Sequence, residues 1–212
     1  MKLAVFDFDS TLMDGETIEF LAEELGIREK IKKITDSAMR GELDFFESLT
    51  QRVSLLKGLE VDKVNKICHN LPIMNGAKET ILELKKLGYT VVCFSGGFKN
   101  ATSYFAPILG LDGDFSNTLH SKDGVLTGLV GGEMMFNTSK GEMLQTLQRI
   151  MKITPENTIA IGDGANDLSM FQHASTRVAF CAKPILKEAA NIIIEEKDLK
   201  LIIKKLALLQ HT

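Results

Sequence analysis

Hydrophobic and polar positions along the chain follow two periods. Leu3 to Phe8 is a short apolar run that reads as a buried strand. From about Thr17 to Leu71 the spacing becomes helical. Ile18, Leu21 and Leu25 share a face, and Gly26 stops that helix. Ile31 and Ile34 continue on a second helix, with Gly41 as its stop. Phe45, Leu49, Val53 and Leu56 form a third stripe closed by Gly58. Val61, Val64, Ile67 and Leu71 form a fourth, ended by Pro72. Four helices after one strand, with no strand between them, predict an insertion and not the next βα unit.

A strand–helix rhythm then resumes. Ala77 to Leu87 is amphipathic with Gly88 at its end. Tyr89 to Phe94 reads as a strand, followed by Ser95-Gly96-Gly97-Phe98 and a helix to about Leu109. Phe115 to Leu119 and Val125 to Val130 flank Lys122-Asp123-Gly124, a hairpin signal. Ser139 to Met151 is helical, Thr158 to Ile161 a strand, and a helix begins near Asn166. Val178 to Cys181 is a strand, Pro184 opens a short helix, and Ile192 to Ile194 precedes a Lys- and Leu-rich terminal helix. Strands alternating with helices predict an α/β protein with a doubly wound, mostly parallel sheet. The inserted helices predict a small helical-bundle cap over 15–75, with the core built from 1–14 and 76–212.

Composition narrows the class. A chain of 212 residues suits one core domain plus a small inserted module. A net charge of -3 lacks the basic excess of a nucleic-acid footprint. Cys68, Cys93 and Cys181 are odd in number and lack metal-ligand spacing, so they read as reduced thiols. There is no secretory signal and no apolar run of the ~20 residues that a membrane helix needs. The expectation is a cytoplasmic protein, monomer or homodimer, with a small-molecule substrate and neither nucleic acid nor membrane as partner.

Ligands of such sheets bind beyond the carboxyl ends of the strands. Three predicted strands end in polar, small or acidic residues there. Asp7 and Asp9 are spaced by one residue, so on a strand they emerge on one face, too close to ionise together without a cation. That suits a hard metal such as Mg²⁺. On this segment alone an Asp-rich turn reads as well. Ser95, Gly96 and Gly97 offer a hydroxyl and backbone N–H groups to an anion, or simply a Gly-rich turn. Asp163 could complete a metal site with Asp7. Asn166 and Asp167 suit helix capping as well as ligand binding. Lys140, in a first helical turn, opposes the helix dipole; it is a phosphate-neutralising cation or an ordinary surface lysine.

Taken together, Asp7-Phe8-Asp9-Ser10-Thr11, Phe94-Ser95-Gly96-Gly97, Lys140 and Gly162-Asp163-Gly164-Ala165-Asn166-Asp167 resemble the four motifs of the haloacid dehalogenase superfamily of phosphotransferases. The likeness runs in order over nearly the whole chain. Asp9 to Glu16 and Arg52-Val53-Ser54-Leu55-Leu56-Lys57-Gly58 narrow it to the branch acting on O-phospho-L-serine at the last step of serine biosynthesis. The resemblance implies a Rossmannoid core, Asp7 as nucleophile forming an aspartyl-phosphate, and Asp9 as general acid and base. It implies Mg²⁺ held by Asp7, the Asp9 carbonyl and Asp163, with Asp167 supporting that shell. Ser95, Gly96, Lys140 and Asn166 would hold the phosphate.

Phosphoserine also carries an ammonium and a carboxylate. The resemblance assigns these to Glu16 and Arg52, with Met39, Phe45 and Gly97 closing the pocket. From the residues alone, Glu16 suits a first-turn dipole and Arg52 a solvated face, and Met39 and Phe45 suit helix packing. Gly15 and Asn75-Gly76 are expected hinges of the cap. No regulatory domain precedes the core, so control through one is not expected. Two alternatives stay open: a related small-metabolite phosphatase, or a transferase that moves phosphate from phosphoserine to an alcohol such as homoserine. A non-catalytic phosphometabolite sensor fits poorly with an intact Asp7, Asp9, Lys140 and Asp163.

Overall fold

β1 (Lys2–Phe6) is the axis of the molecule, because Leu3, Ala4, Val5 and Phe6 expose no surface on either face. A strand buried on both faces belongs inside a parallel sheet. The computed structural model describes residues 1–40 and 42–209, the side chains of Met39 and Leu209 excepted, and it places β1 at the centre. The other strands are β2 (Tyr89–Phe98), β3 (Gly113–Lys122), β4 (Val125–Gly132), β5 (Thr158–Gly162), β6 (Thr176–Phe180) and β7 (Ile192–Ile194). Their order is β4-β3-β2-β1-β5-β6-β7. Ala4 lies opposite Val91 on one side and Ile159 on the other. Every pairing is parallel except β3 with β4. Asp123 (φ 50°) and Gly124 (φ 80°) close that hairpin with two left-handed residues, as a tight hairpin turn requires.

Four helices follow β1: α1 (Thr17–Glu24), α2 (Arg28–Met39), α3 (Phe45–Ser54) and α4 (Val61–Cys68). The expected stop of α2 at Gly41 lies outside the described residues. Then come α5 (Ala77–Lys86), α6 (Lys99–Leu109), α7 (Ser139–Met151), α8 (Leu168–Phe171), α9 (Pro184–Ala189) and α10 (Lys200–Leu209). Alternate residues of β1 feed two cores. Ala4 and Phe6 pack with Ile81 and Leu84 of α5, Phe105 of α6 and Ile202 of α10. Leu3 and Val5 pack with Leu144 of α7, Met170 of α8 and Leu186 of α9. The first core extends into the inserted helices through Ile18, Leu49, Val53 and Val64. No helix among the described residues is long and apolar enough to cross a membrane.

The insertion is tied down at both ends. Where it leaves and re-enters the core, the Asp14 N–H donates to Pro72 O at 2.8 Å and the Met74 N–H to Leu12 O at 2.9 Å. At its far end the α3–α4 turn is sewn to β4. The Gly58 N–H donates to Leu126 O, the Leu126 N–H to Leu59 O, both at 2.8 Å, and the Val61 N–H to Gly124 O at 2.9 Å. β2 runs on through Ser95-Gly96-Gly97 to Phe98, so this segment is irregular strand and not the turn that its glycines suggest. α4 stops at Cys68, one turn short of Leu71, and a 3₁₀ turn over Ala165–Asp167 precedes α8.

Candidate active site

The chain passes from β1 to β2 on one side and reaches β5, on the other, after β4. β1 and β5 therefore bound a topological switch point, where strand ends diverge and leave a crevice. Asp7 directly follows β1, its N–H donating to Ile161 O of β5 at 2.9 Å. Asp163 follows β5, and Ser95 sits within the end of β2. Asp7, Asp9, Ser95, Lys140, Asp163, Asn166 and Asp167 are all buried. Ionised groups enter a protein interior only when paired or ligated.

The pairings are specific. Lys140 Nζ lies 2.8 Å from Asp7 Oδ1 and 2.6 Å from Asp167 Oδ1. Asp7 Oδ1 also accepts the Phe8 N–H at 2.7 Å. Asp167 Oδ2 accepts the N–H groups of Asp163 and Gly164 at 3.0 and 3.1 Å, which fixes the loop that carries Asp163. A Cβ at Gly162 would collide with the Asp167 carboxylate, so that clamp needs glycine there. Both Asp167 oxygens are thus engaged. Among the described residues, Asp7 Oδ2, Asp163 Oδ1 and Asn166 Oδ1 have no partner although buried. Asp7, Asp163 and Asp167 bring ligand atoms within 4.8 Å of one another. Orphaned carboxylate oxygens on residues this close together fit a hard divalent cation.

The electrostatics agree. Burial, reinforced by the Asp167 charge and opposed by Lys140, pushes the Asp7 carboxyl up to about 7. Burial followed by Asp7 drives Asp163 well above the ordinary range. Burial and then the Asp9 charge push Glu16 up to about 8. A crevice with so many carboxyls holds protons unless a cation replaces them. Asp9 is raised by burial and held back chiefly by Thr17. Its Oδ1 accepts the Thr17 N–H at 2.7 Å and the Thr17 hydroxyl, while its Oδ2 accepts the Ser95 hydroxyl at 3.4 Å. Asp9 therefore caps α1 and stays poised in the crevice.

Asp7, Asp9, Glu16, Phe45, Arg52, Gly96, Gly97 and Asn166 line one cavity. Ile18, Leu49 and Phe98 form its apolar wall. The Phe45 ring lies over Gly96, where an added Cβ would come within 2.5 Å of Cζ. Glu16 is half-buried and accepts the Ser10 hydroxyl at 2.6 Å. Ser10 holds φ 57°, a left-handed turn that redirects the chain from Asp9 towards α1. Arg52 is buried, its Nε donating to Ser48 O and its Nη1 to Thr35 Oγ1, both at 3.1 Å. The Met39 side chain lies outside the described residues. Sequence reasoning passed over Thr17 and Thr35, which orient Asp9 and Arg52. A lone helical threonine carries no signal of a partner distant in the chain.

A model of the haloacid dehalogenase-like hydrolases matches residues 1–175. A phosphoserine phosphatase of Wolinella succinogenes is 66% identical over 206 residues, covering 97% of this chain and 100% of the relative. Another from Methanocaldococcus jannaschii is 52% identical over 203 residues, 96% of each chain. A solved structure described as a phospho-aspartyl intermediate analogue of phosphoserine phosphatase superposes with TM-score 0.94 at 52% identity, covering 96% of this chain and 98% of that one.

Proposed function

The chain belongs to the haloacid dehalogenase-like hydrolases, and we propose that it hydrolyses O-phospho-L-serine to L-serine and phosphate through an aspartyl-phosphate on Asp7. The observation that carries this reading is one cavity lined by Asp7, Asp9, Glu16 and Arg52, with Lys140 paired to Asp7 and the Ser95 hydroxyl donating to Asp9 behind it. The names borne by the relatives support the substrate.

The Asp7 carboxylate attacks phosphorus, and the bond to the serine oxygen breaks. Asp9 gives that oxygen its proton, a role suited to a carboxyl raised by burial. Asp9 then takes a proton from the water that attacks the phosphoenzyme, and phosphate leaves. Lys140, Ser95, the Gly96 main chain and Asn166 hold the phosphoryl oxygens. Asp7, Asp163 and the Asp9 carbonyl are the ligands we assign to Mg²⁺, which when bound neutralises charge on the nucleophile and phosphoryl group. Asp167 steadies Lys140 and the Asp163 loop. Glu16 meets the substrate ammonium and Arg52 its carboxylate, under a cap formed by 15–75 that includes Phe45 and Met39.

Phosphate release from phosphoserine with Mg²⁺, and no other alcohol present, tests this. Free phosphate is expected to accumulate and to cease with chelator or with Asp7→Asn. Release that required an added acceptor such as homoserine would make the protein a transferase and overturn the reading.

A further inference from the structure

We propose, resting on the phosphatase reading above, that Asn117 is a positioning residue for the phosphoryl pocket: its carboxamide fixes the Ser95–Gly97 segment against the loop that leads to Lys140. Asn117 lies on β3 and exposes no surface. Its Nδ2 donates to Gly96 O at 3.1 Å and to Met134 O at 3.0 Å, and its Oδ1 accepts the Met134 N–H at 2.9 Å. Both amide protons are therefore in use.

The effect on the pocket follows from peptide geometry. A trans peptide is planar, so the Gly96 carbonyl and the Gly97 N–H point in opposite directions. Holding the carbonyl aims the N–H, which donates to Ser95 Oγ at 2.9 Å. That occupies one lone pair of the hydroxyl and turns its proton towards Asp9 Oδ2. A phosphoryl oxygen beside Asp9 meets the same donor. On its other side Asn117 grips Met134 at two points. Beyond Met134, the Phe136 N–H donates to Ser139 Oγ at 3.0 Å as α7 begins, and Lys140 is its second residue. One buried amide thus sets the distance between two phosphate-holding segments that are remote in the chain. Gly132 on β4 accommodates it: a Cβ there would lie 2.7 Å from Asn117 Cα and 2.8 Å from its Oδ1.

The test is binding of inorganic phosphate with Mg²⁺ to wild type, Asn117→Ala and Asn117→Asp, read by thermal shift and by inhibition of turnover, and repeated on a Ser95→Ala background. Asn117→Asp keeps the shape and the bond from the Met134 N–H but loses both donors. Each variant is expected to weaken phosphate binding roughly 10- to 100-fold, the scale of a misplaced contact. On Ser95→Ala the further loss should be at least about threefold smaller than on wild type, because the hydroxyl that Asn117 aims is gone and only its hold on the Lys140 side remains. Phosphate affinity within about threefold of wild type in a folded variant, or an equal loss with and without Ser95, overturns the proposal. If Asn117→Ala does not fold, Asn117→Asp decides; if neither folds, Asn117 is a folding residue and the proposal fails. The thermal shift needs no turnover, so failure to hydrolyse phosphoserine would sink the substrate reading and leave this test standing.

Discussion

Asp7 sits in an environment that costs stability when no cation balances its charge. Without a cation its carboxyl is pushed from 3.8 to about 7. The folded protein then holds a proton there that the unfolded chain has released between those values. The stability contributed by Asp7 is present below 3.8 and is lost as pH rises through about 7. Asp7→Asn should therefore abolish turnover and raise the melting temperature of the metal-free protein at pH 8. The gain should be at least ~1 kcal/mol, or about 2–4 °C, and should vanish at low pH; equal melting at pH 8 would refute this. Glu16 and Arg52 call for a comparison of substrates. Arg52→Ala and Glu16→Ala should each cost roughly 10- to 100-fold in kcat/KM on phosphoserine, the worth of a charge-assisted contact. On an aryl phosphate, which has neither ammonium nor carboxylate, the loss should be much smaller; equal losses would remove them from substrate selection. The burial of Arg52 and Lys140 was not legible locally. A charged side chain reads as solvated until its partners are known, and those of Lys140 are Asp7 and Asp167, far away in the chain.

At the scale of elements, the inserted helices are held unevenly. The α3–α4 turn shares backbone hydrogen bonds with β4, and α4 is joined to α6 by the stacked His69 and Tyr104 rings and by Asn100 donating to Asn65. α2 meets the core differently: Lys183 lies 3.9 Å from Asp36, both partly exposed. The start of α3 is held by a stack between Phe46 and Phe136, two exposed rings 5.2 Å apart. Hydrogen exchange should accordingly be slow at Gly58 and Val61 and faster across α2. Uniform protection of all four helices would show the cap to move as one body. Helix faces in this region were readable from period, because the stripes pack on their neighbours, except at Leu25, which lies past the end of α1 and is exposed. The continuation of β2 through Ser95-Gly96-Gly97 was not readable. Glycines signal a turn locally, but pairing with β3 resumes at Phe98 opposite Asn117 and keeps the segment extended.

For the whole molecule, the order of elements, the parallel sheet and its one hairpin were legible, because alternation of strand and helix admits few connections. The left–right placement of strands was not, since it depends on which edge each crossover reaches. Cation binding should register on the entire fold. Mg²⁺ at 100 times its dissociation constant would add about 2.7 kcal/mol, a rise of roughly 5–10 °C in melting temperature for a chain of this size. Asp163→Asn should remove most of that rise; a full shift in this variant would place the ion elsewhere.

The central position of β1 has a consequence for synthesis. The strand that leads into Asp7 is translated before both of its neighbours, β2 and β5, and the second of these begins only at Thr158. Pairing over such separations folds slowly, and a nascent chain that has not reached β5 leaves one edge of β1 open. Chains halted before Thr158 should therefore be readily digested by protease, whereas chains released after β7 resist it. The carboxylate proposed above to attack phosphorus is made well before the strand that completes its crevice, so a partly made chain emerging from the ribosome would carry that group without the means to use it.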